Sequence, residues 1–249
     1  MTSEHNKAYF NQEAASYDSK HEKTLAQIVK EIQSRLEFIG VDWVDDDGED
    51  DESGDDRKNN IPKKQVRLLD YASGTGVISR ALASYTTQCV GIDLSDSMVA
   101  TYNARADNQG LAESEMRAYQ GDLTVPNDSN PAKFASENFF DFDIAAVGLG
   151  FHHFDDPTLA AHRLVERLRI GGVLLVLDFL PHEKMHSTHA ASHTVTHHGF
   201  SREAIQKIFD DAGAGKDFAI EDVAVVFNKP NENGHEMRRQ LFLARGTKA

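Results

Sequence analysis

Three stretches of this 249-residue chain place residue types at spacings that can do chemistry. The first is Val66-Arg67-Leu68-Leu69-Asp70-Tyr71-Ala72-Ser73-Gly74-Thr75-Gly76, an apolar strand running straight into a small-residue turn. Gly74 and Gly76 permit backbone conformations and a close approach that a side chain would forbid. Val77 to Ser84 begins a helix, so the turn presents free amides at a helix N-terminus. That geometry cradles a nucleotide-like ligand at the carboxyl end of a parallel strand. The second stretch is Val90-Gly91-Ile92-Asp93, a buried strand ending in a carboxylate. An acid there can accept hydrogen bonds from both hydroxyls of a ribose. The third is a set of histidines: His152 and His153 after a fourth apolar strand, and His198 closing a histidine-rich run. An imidazole titrates near neutral pH, which suits it to take a proton from an attacking group.

The glycine turn separates two cofactor chemistries. The nicotinamide fingerprint requires a third glycine three residues after the second, and that position is Ser79. The turn resembles instead motif I of the class I S-adenosylmethionine (SAM) methyltransferases, (L/V)(D/E)xGxGxG. Leu69, Asp70, Gly74 and Gly76 match, and Ala72 stands where the first glycine would be. Further segments of the same resemblance follow in order. In Gly121-Asp122-Leu123 the resemblance assigns the acid to the adenine amino group and the leucine to the ring face. Phe142 to Pro157, with its paired histidines, resembles the "FDxV…LHHxxDP" segment of the ubiquinone-biosynthesis-like small-molecule methyltransferases. Leu168 to Asp178 and Gly199-Phe200-Ser201 to Ala214 belong to it as well, and Phe10 to Tyr17-Asp18 is similar to a segment that caps the cofactor pocket.

Taken over Arg67 to Ala244, the resemblance implies a Rossmann-like α/β fold. Its sheet would be seven-stranded and doubly wound, with strands 1–5 parallel and a C-terminal hairpin of strands 6 and 7. The cofactor would be SAM, held by Tyr17, Asp70, Ala72, Ser73, Gly74, Gly76, Asp93, Leu94, Asp122, Leu123 and Gly148. The reaction would be methyl transfer to a small-molecule acceptor, with His153 the preferred base, then His198 and His152. Two other readings stay open: methylation of a protein side chain, and a non-catalytic regulator that binds a nucleotide or a metal.

The elements that must position these groups are legible as periodicities. Lys7 to Tyr17 predicts a helix with Tyr9, Phe10, Ala14 and Tyr17 on one face, ending at Tyr17-Asp18. Leu25, Ile28, Val29, Ile32, Leu36 and Ile39 form a helical stripe closed by Gly40, expected to pack on a sheet and carry no chemistry. Cap helices are thus expected over 6–40. Ser95-Asp96-Ser97 caps a helix from Met98 to Gln109, and Met116 to Gln120 reads as a strand. Pro157 starts a helix through Leu168, Val173 to Leu177 is a very apolar strand, and Ser201 caps another helix. Ile220 to Phe227 and Arg239 to Ala244 read as a strand pair joined through Pro230-Asn231-Glu232-Asn233-Gly234. One α/β domain is expected over 1–249.

Charge and composition exclude several classes. The net charge of −14 is largely one block: Asp45 to Asp56 holds nine acids and no base, and the remainder carries about −5. Such a block self-repels and has nothing to bury, so a disordered acidic insertion is expected over 45–60. Neither part offers the basic face that a nucleic-acid substrate requires. The single cysteine, Cys89, sits in a predicted strand and allows no internal disulfide. No apolar N-terminal run and no bilayer-length stretch is present, so a cytosolic or nuclear protein without a membrane partner is expected. A monomer or weak homodimer fits this reading. His182, His186, His189, His193, His197 and His198 are spaced to put several on one helical face, which raises a zinc or copper site. No cysteine or carboxylate stands near at ligand spacing, so the run reads as a substrate lid with no metal.

Overall fold

Leu68 to Tyr71 and Phe142 to Val147 are buried on both faces, the signature of central strands in a parallel sheet covered on both sides. The structure, a computed structural model, describes residues 2–44, 64–188, 190–231 and 233–249. In chain order the elements are α1 (Thr2–Gln33), the short α2 (Leu36–Ile39), β1 (Arg67–Tyr71), α3 (Val77–Leu82), β2 (Gln88–Asp93), α4 (Asp96–Asn108) and β3 (Met116–Gln120). Then come β4 (Phe142–Gly148), α5 (Pro157–Arg167), β5 (Leu168–Phe179), α6 (Arg202–Ala212), β6 (Lys216–Pro230) and β7 (Glu236–Thr247). The sheet runs β3-β2-β1-β4-β5-β7-β6. β1 to β5 pair in parallel, β7 is antiparallel to β5, and β6 is antiparallel to β7. This is the seven-stranded Rossmann-like arrangement expected, with its C-terminal hairpin.

Alternate residues of each strand feed two cores. Leu68, Ile144 and Leu175 face α1, α3 and α4, whose Ile28, Ile78 and Tyr102 complete one cluster. Leu69, Ala145 and Leu174 face α5 and α6, whose Leu164 and Phe209 complete the other. The strand order reverses between β1 and β4, and a ligand crevice opens outside the carboxyl ends of the strands at such a point.

Several boundaries differ from the sequence reading. Helix α1 is continuous through Tyr17-Asp18, because the residues between the two expected segments include no glycine or proline to stop it. Gly40 does close the stripe, at φ 74°. Its apolar face packs against α3 and α4 and reaches β6, yet Thr24, Leu25 and Ile28 also line the cavity described below. Leu168 opens β5 instead of closing α5. Among its described residues the histidine-rich segment does not form the helix that would align its rings: only Ala190–Thr194 is helical, as a 3₁₀ turn. The acidic insertion expected over 45–60 and His189 lie outside the described residues. No described helix is long and apolar enough to cross a membrane.

Candidate active site

At the reversal point lies a cavity of about 630 Å³, within the range of small-molecule sites. One end is built from the β1 turn and the end of β2. Asp93 leaves β2 with Oδ2 accepting from the Gly74 amide at 2.8 Å and Oδ1 accepting from the Ser95 amide at 2.8 Å. Burial raises its pKa, and those two amides work the other way. The carboxylate is therefore fixed in position while retaining lone pairs toward the cavity. Ser73 presents a buried Oγ with no partner among the described residues, so this wall has an unfilled donor and acceptor. Asp122, after β3, uses Oδ1 for the Tyr71 hydroxyl at 3.0 Å and for the Thr124 amide and hydroxyl at 2.7 and 2.6 Å. That leaves Oδ2 as its second acceptor.

The glycines here have different tasks. Gly74 lies at φ 52° with open space where a Cβ would stand, and it lines the cavity. Gly76, at φ 89°, would drive a Cβ to 2.7 Å from the Tyr102 ring. It is small so that α4 can pack, and it does not line the cavity. Asp70 is also displaced from the expected role. It is buried, accepts from the Ser79 amide at 3.0 Å and hydroxyl at 2.7 Å, and Ser79 Oγ in turn accepts from Tyr102 at 2.8 Å. Burial pushes Asp70 up to about 7, against the pull of the Ser79 bonds. Its work is to tie β1 to the start of α3. Leu123 is fully buried in the second core. Tyr17, Ala72, Ser73, Gly74, Asp93, Leu94, Asp122 and Gly148 do border the cavity; Asp70, Gly76 and Leu123 do not.

The other end belongs to β4, β5 and the chain ends. Gly150 leads into a 3₁₀ turn, Phe151–His153, that brings both histidine rings into the cavity wall, 4.0 Å apart. His152 Nδ1 lies 2.9 Å from Asp178 Oδ1, and the His152 amide donates to Asp178 Oδ2 at 3.2 Å. Asp178 is completely buried, and although burial opposes it, His152 and the surrounding donors hold its pKa below the ordinary carboxylate value. A carboxylate can only accept here, so Nδ1 carries the proton and Nε2 is the ring's basic nitrogen. His153 differs: its Nδ1 donates to the Thr194 carbonyl at 2.8 Å. Burial, and then His152, pull its pKa down to about 3. His198 packs against His182 and does not border the cavity, contrary to its expected place.

Helix α1 forms the cover. Asn11 Oδ1 accepts from Ser95 Oγ at 2.6 Å and from the Ser97 amide at 3.1 Å. Asp18 accepts from Thr75 Oγ1 at 2.6 Å and pairs with Arg105, which also donates to the Thr75 carbonyl. Asn6 donates to the His153 carbonyl at 3.2 Å. Tyr9, Phe10 and Tyr17 thereby border the cavity, and burial pushes the Tyr17 phenol up to about 12. Sequence reasoning missed Asn6 and Arg239 as cavity residues and Asp178 as the buried partner of His152. Only Asp178 had a signal, as an acid at the end of an apolar strand. Among the described residues, no three histidine, cysteine or acidic side chains come together as a metal site.

The strand order is that of Rossmann-like SAM-dependent methyltransferases, and the central part of this chain is similar in sequence to that family. Within it, residues 69–176 match the family described as "Methyltransferase domain". An uncharacterized methyltransferase of Schizosaccharomyces pombe is 32% identical over 161 residues, 62% of this chain and 55% of the relative. The demethylmenaquinone methyltransferase of Thermus thermophilus is 31% identical over 127 residues, 50% of this chain and 52% of the relative. The chain spans about half the length of the curated relatives it matches. Among solved structures, a Haloferax volcanii methyltransferase in complex with the Trm112 methyltransferase activator aligns with a TM-score of 0.62 at 17% identity, covering 96% of each chain. A Thermotoga maritima SAM-dependent methyltransferase aligns with a TM-score of 0.60 at 15% identity, covering 97% of this chain and 99% of that one. At such identities the likeness establishes the fold.

Proposed function

We propose that this chain binds SAM along the ends of β1, β2 and β3 and transfers its methyl group to a small-molecule acceptor. The observation that carries the reading is a single cavity with an amide-fixed acid at one end and a histidine–carboxylate pair at the other. Asp93 offers its remaining lone pairs to the ribose hydroxyls, and Asp122 Oδ2 suits the adenine amino group. The small residues Ala72, Ser73 and Gly74 leave room for the methionine end, with Ser73 Oγ as an unused polar contact. When bound, SAM supplies a methyl on a sulfonium sulfur, and that sulfur leaves as a neutral thioether carrying the electron pair of the broken bond.

The protein's part is to align the acceptor and exclude water. Where the attacking atom carries a proton of high pKa, His152 Nε2 receives it, and the buried Asp178 carboxylate stabilises the resulting imidazolium. His153, held neutral down to about pH 3, is too weak a base for this at neutral pH and serves better to shape the acceptor pocket. Preference therefore passes from His153 to His152. The thin basic surface supports a small acceptor over nucleic acid. Asn6 of α1 and Arg239 of β7 border the same cavity, which supports one domain over 1–249.

Titration calorimetry with SAM, S-adenosylhomocysteine and NADH tests the cofactor, and a metabolite extract incubated with methyl-labelled SAM tests the acceptor. Tight binding of the first two with none of the third, and label in a small product, are the expected results. NADH binding in their place, or label only in protein, would overturn the reading.

A further inference from the structure

Arg239 is a buried cation with no ion pair among the described residues. It enters the cavity wall from the start of β7, which is antiparallel to β5, so its first residues reach the same sheet edge as the ends of the parallel strands. The residue is 6% exposed. Its guanidinium lies 4.5 Å over the Phe179 ring and 5.6 Å from the Phe227 ring, and Nη1 donates to Met185 Sδ at 3.3 Å. Nε is buried with no hydrogen-bond partner among the described residues. The nearby acid, Asp178, is already engaged by His152 and by the Phe179 amide. Burial lowers the guanidinium to about 10, the mark of a charge that gives up hydration without a full replacement.

A desolvated cation is costly unless something pairs with it, and the cavity is the side from which a partner can come. The unpartnered Nε belongs to the guanidinium fork, the group that matches a planar carboxylate. Among the described residues, Arg239 is the only lysine or arginine bordering the cavity, which favours one monoanion over a phosphate dianion. Its surroundings, Phe179, Phe227 and Met185, suit a flat apolar body. Geometry disfavours the cofactor's own carboxylate: β7 stands three strands from β1, roughly 14 Å at the spacing of paired strands.

We propose that Arg239 is the anchoring residue for the acceptor, and that the acceptor is a small, apolar, flat molecule bearing one carboxylate. The inference rests on the methyl-transfer reading for its purpose, since the carboxylate end would be fixed at Arg239 while the attacking atom lies toward His152.

The test uses the full chain loaded with S-adenosylhomocysteine and a matched probe pair, benzoate and benzamide, titrated by calorimetry or ligand-observed NMR. Benzoate should bind about tenfold or more tightly than benzamide, and Arg239→Gln should abolish that preference while homocysteine-cofactor affinity stays within about twofold. Arg239→Lys, which keeps the charge and loses the fork, should fold and retain only part of the preference. Equal binding of the two probes, no benzoate binding at all, or an unchanged preference in Arg239→Gln would overturn the proposal. So would a loss of S-adenosylhomocysteine affinity in Arg239→Gln with benzoate binding intact, which would give the residue to the cofactor. Should the wild-type chain bind no S-adenosylhomocysteine, the cofactor reading fails separately, and the benzoate–benzamide contrast on the unloaded chain still decides the anion site.

Discussion

Two carboxylates at strand ends, Asp70 and Asp93, look alike in the sequence and do different work. Asp93 borders the cavity and is positioned by two amides; Asp70 is sealed behind it under Ser79. Asp93→Ala should weaken SAM at least about tenfold, because each charge-assisted bond contributes about 1.5–3 kcal/mol before reorganisation. Calorimetry on the folded variant checks this, and unchanged affinity would remove Asp93 from the ribose. The histidines divide similarly. His152→Ala should lower turnover about a hundredfold or more with an acceptor whose attacking atom is protonated. S-adenosylhomocysteine affinity should stay nearly constant. Asp178→Asn should lower turnover too, through loss of imidazolium stabilisation, and should move the acid limb of the kcat profile, which a purely packing role would leave in place. Full turnover in His152→Ala would return the role of base to another group.

At the scale of elements, α1 is a fixed roof rather than a loose cap. Its polar contacts are spread along its length: Lys7 pairs with Asp96 at 2.8 Å, Asn11 meets the start of α4, Asp18 meets Thr75, and Gln27 donates to the Ala224 carbonyl at 2.8 Å. Burial of Leu25, Ile28 and Ile32 adds about 1.5–3 kcal/mol for each side chain. Asp18→Ala, which releases both Thr75 and Arg105, should weaken S-adenosylhomocysteine several-fold and speed amide exchange in α1. Lys7→Ala, at an exposed pair, should do neither. The glycine turn offers a sharper contrast. Gly76→Ala meets the Tyr102 ring and a left-handed backbone, and should cost about 1–3 kcal/mol or more in denaturant unfolding. Gly74→Ala shares the left-handed backbone strain but has open space for its Cβ, so its stability cost should be the smaller of the two and SAM affinity should fall as well.

For the whole molecule, buried titratable groups give stability a readable pH dependence. His153 and His182 sit at about 3 and about 4 in the folded protein against an ordinary 6.5. Between those values the unfolded chain binds more protons, so this contribution is complete above about pH 6.5 and is lost as pH falls toward 3. Asp70, raised to about 7 from 3.8, runs oppositely: its contribution is complete below about pH 4 and is lost as pH rises through 7. Urea unfolding between pH 4.5 and 6.5 should show His153→Asn with a flatter rise and Asp70→Asn with a steeper one. Each change should approach one proton, or about 1.4 kcal/mol per pH unit. Opposite shifts, or none, would contradict these environments. The same groups mark what sequence can carry. Strand apolarity and the glycine turn made the sheet, the Asp93 position and the His152–His153 placement legible, because each is a local pattern. Which of two strand-end acids faces the ligand, which of two adjacent histidines meets a carboxylate, and whether Arg239 reaches the cavity depend on packing across the sheet, and no local spacing encodes that.

The reversed direction of β7 has a further consequence, in the order of manufacture. Asn6 precedes the whole sheet in the chain and Arg239 lies in its last-made strand, yet both border one cavity, so its walls are supplied far apart in time. Helix α1 emerges early with an apolar stripe and no sheet to cover, and its Gln27 partner on β6 arrives only after the central strands. A nascent chain halted after β5 would hold the glycine turn, Asp93 and the His152–Asp178 pair yet lack the hairpin wall. Ribosome-bound chains stopped there should bind S-adenosylhomocysteine poorly and be cut readily within α1 by protease, and release of the hairpin should abolish both differences together.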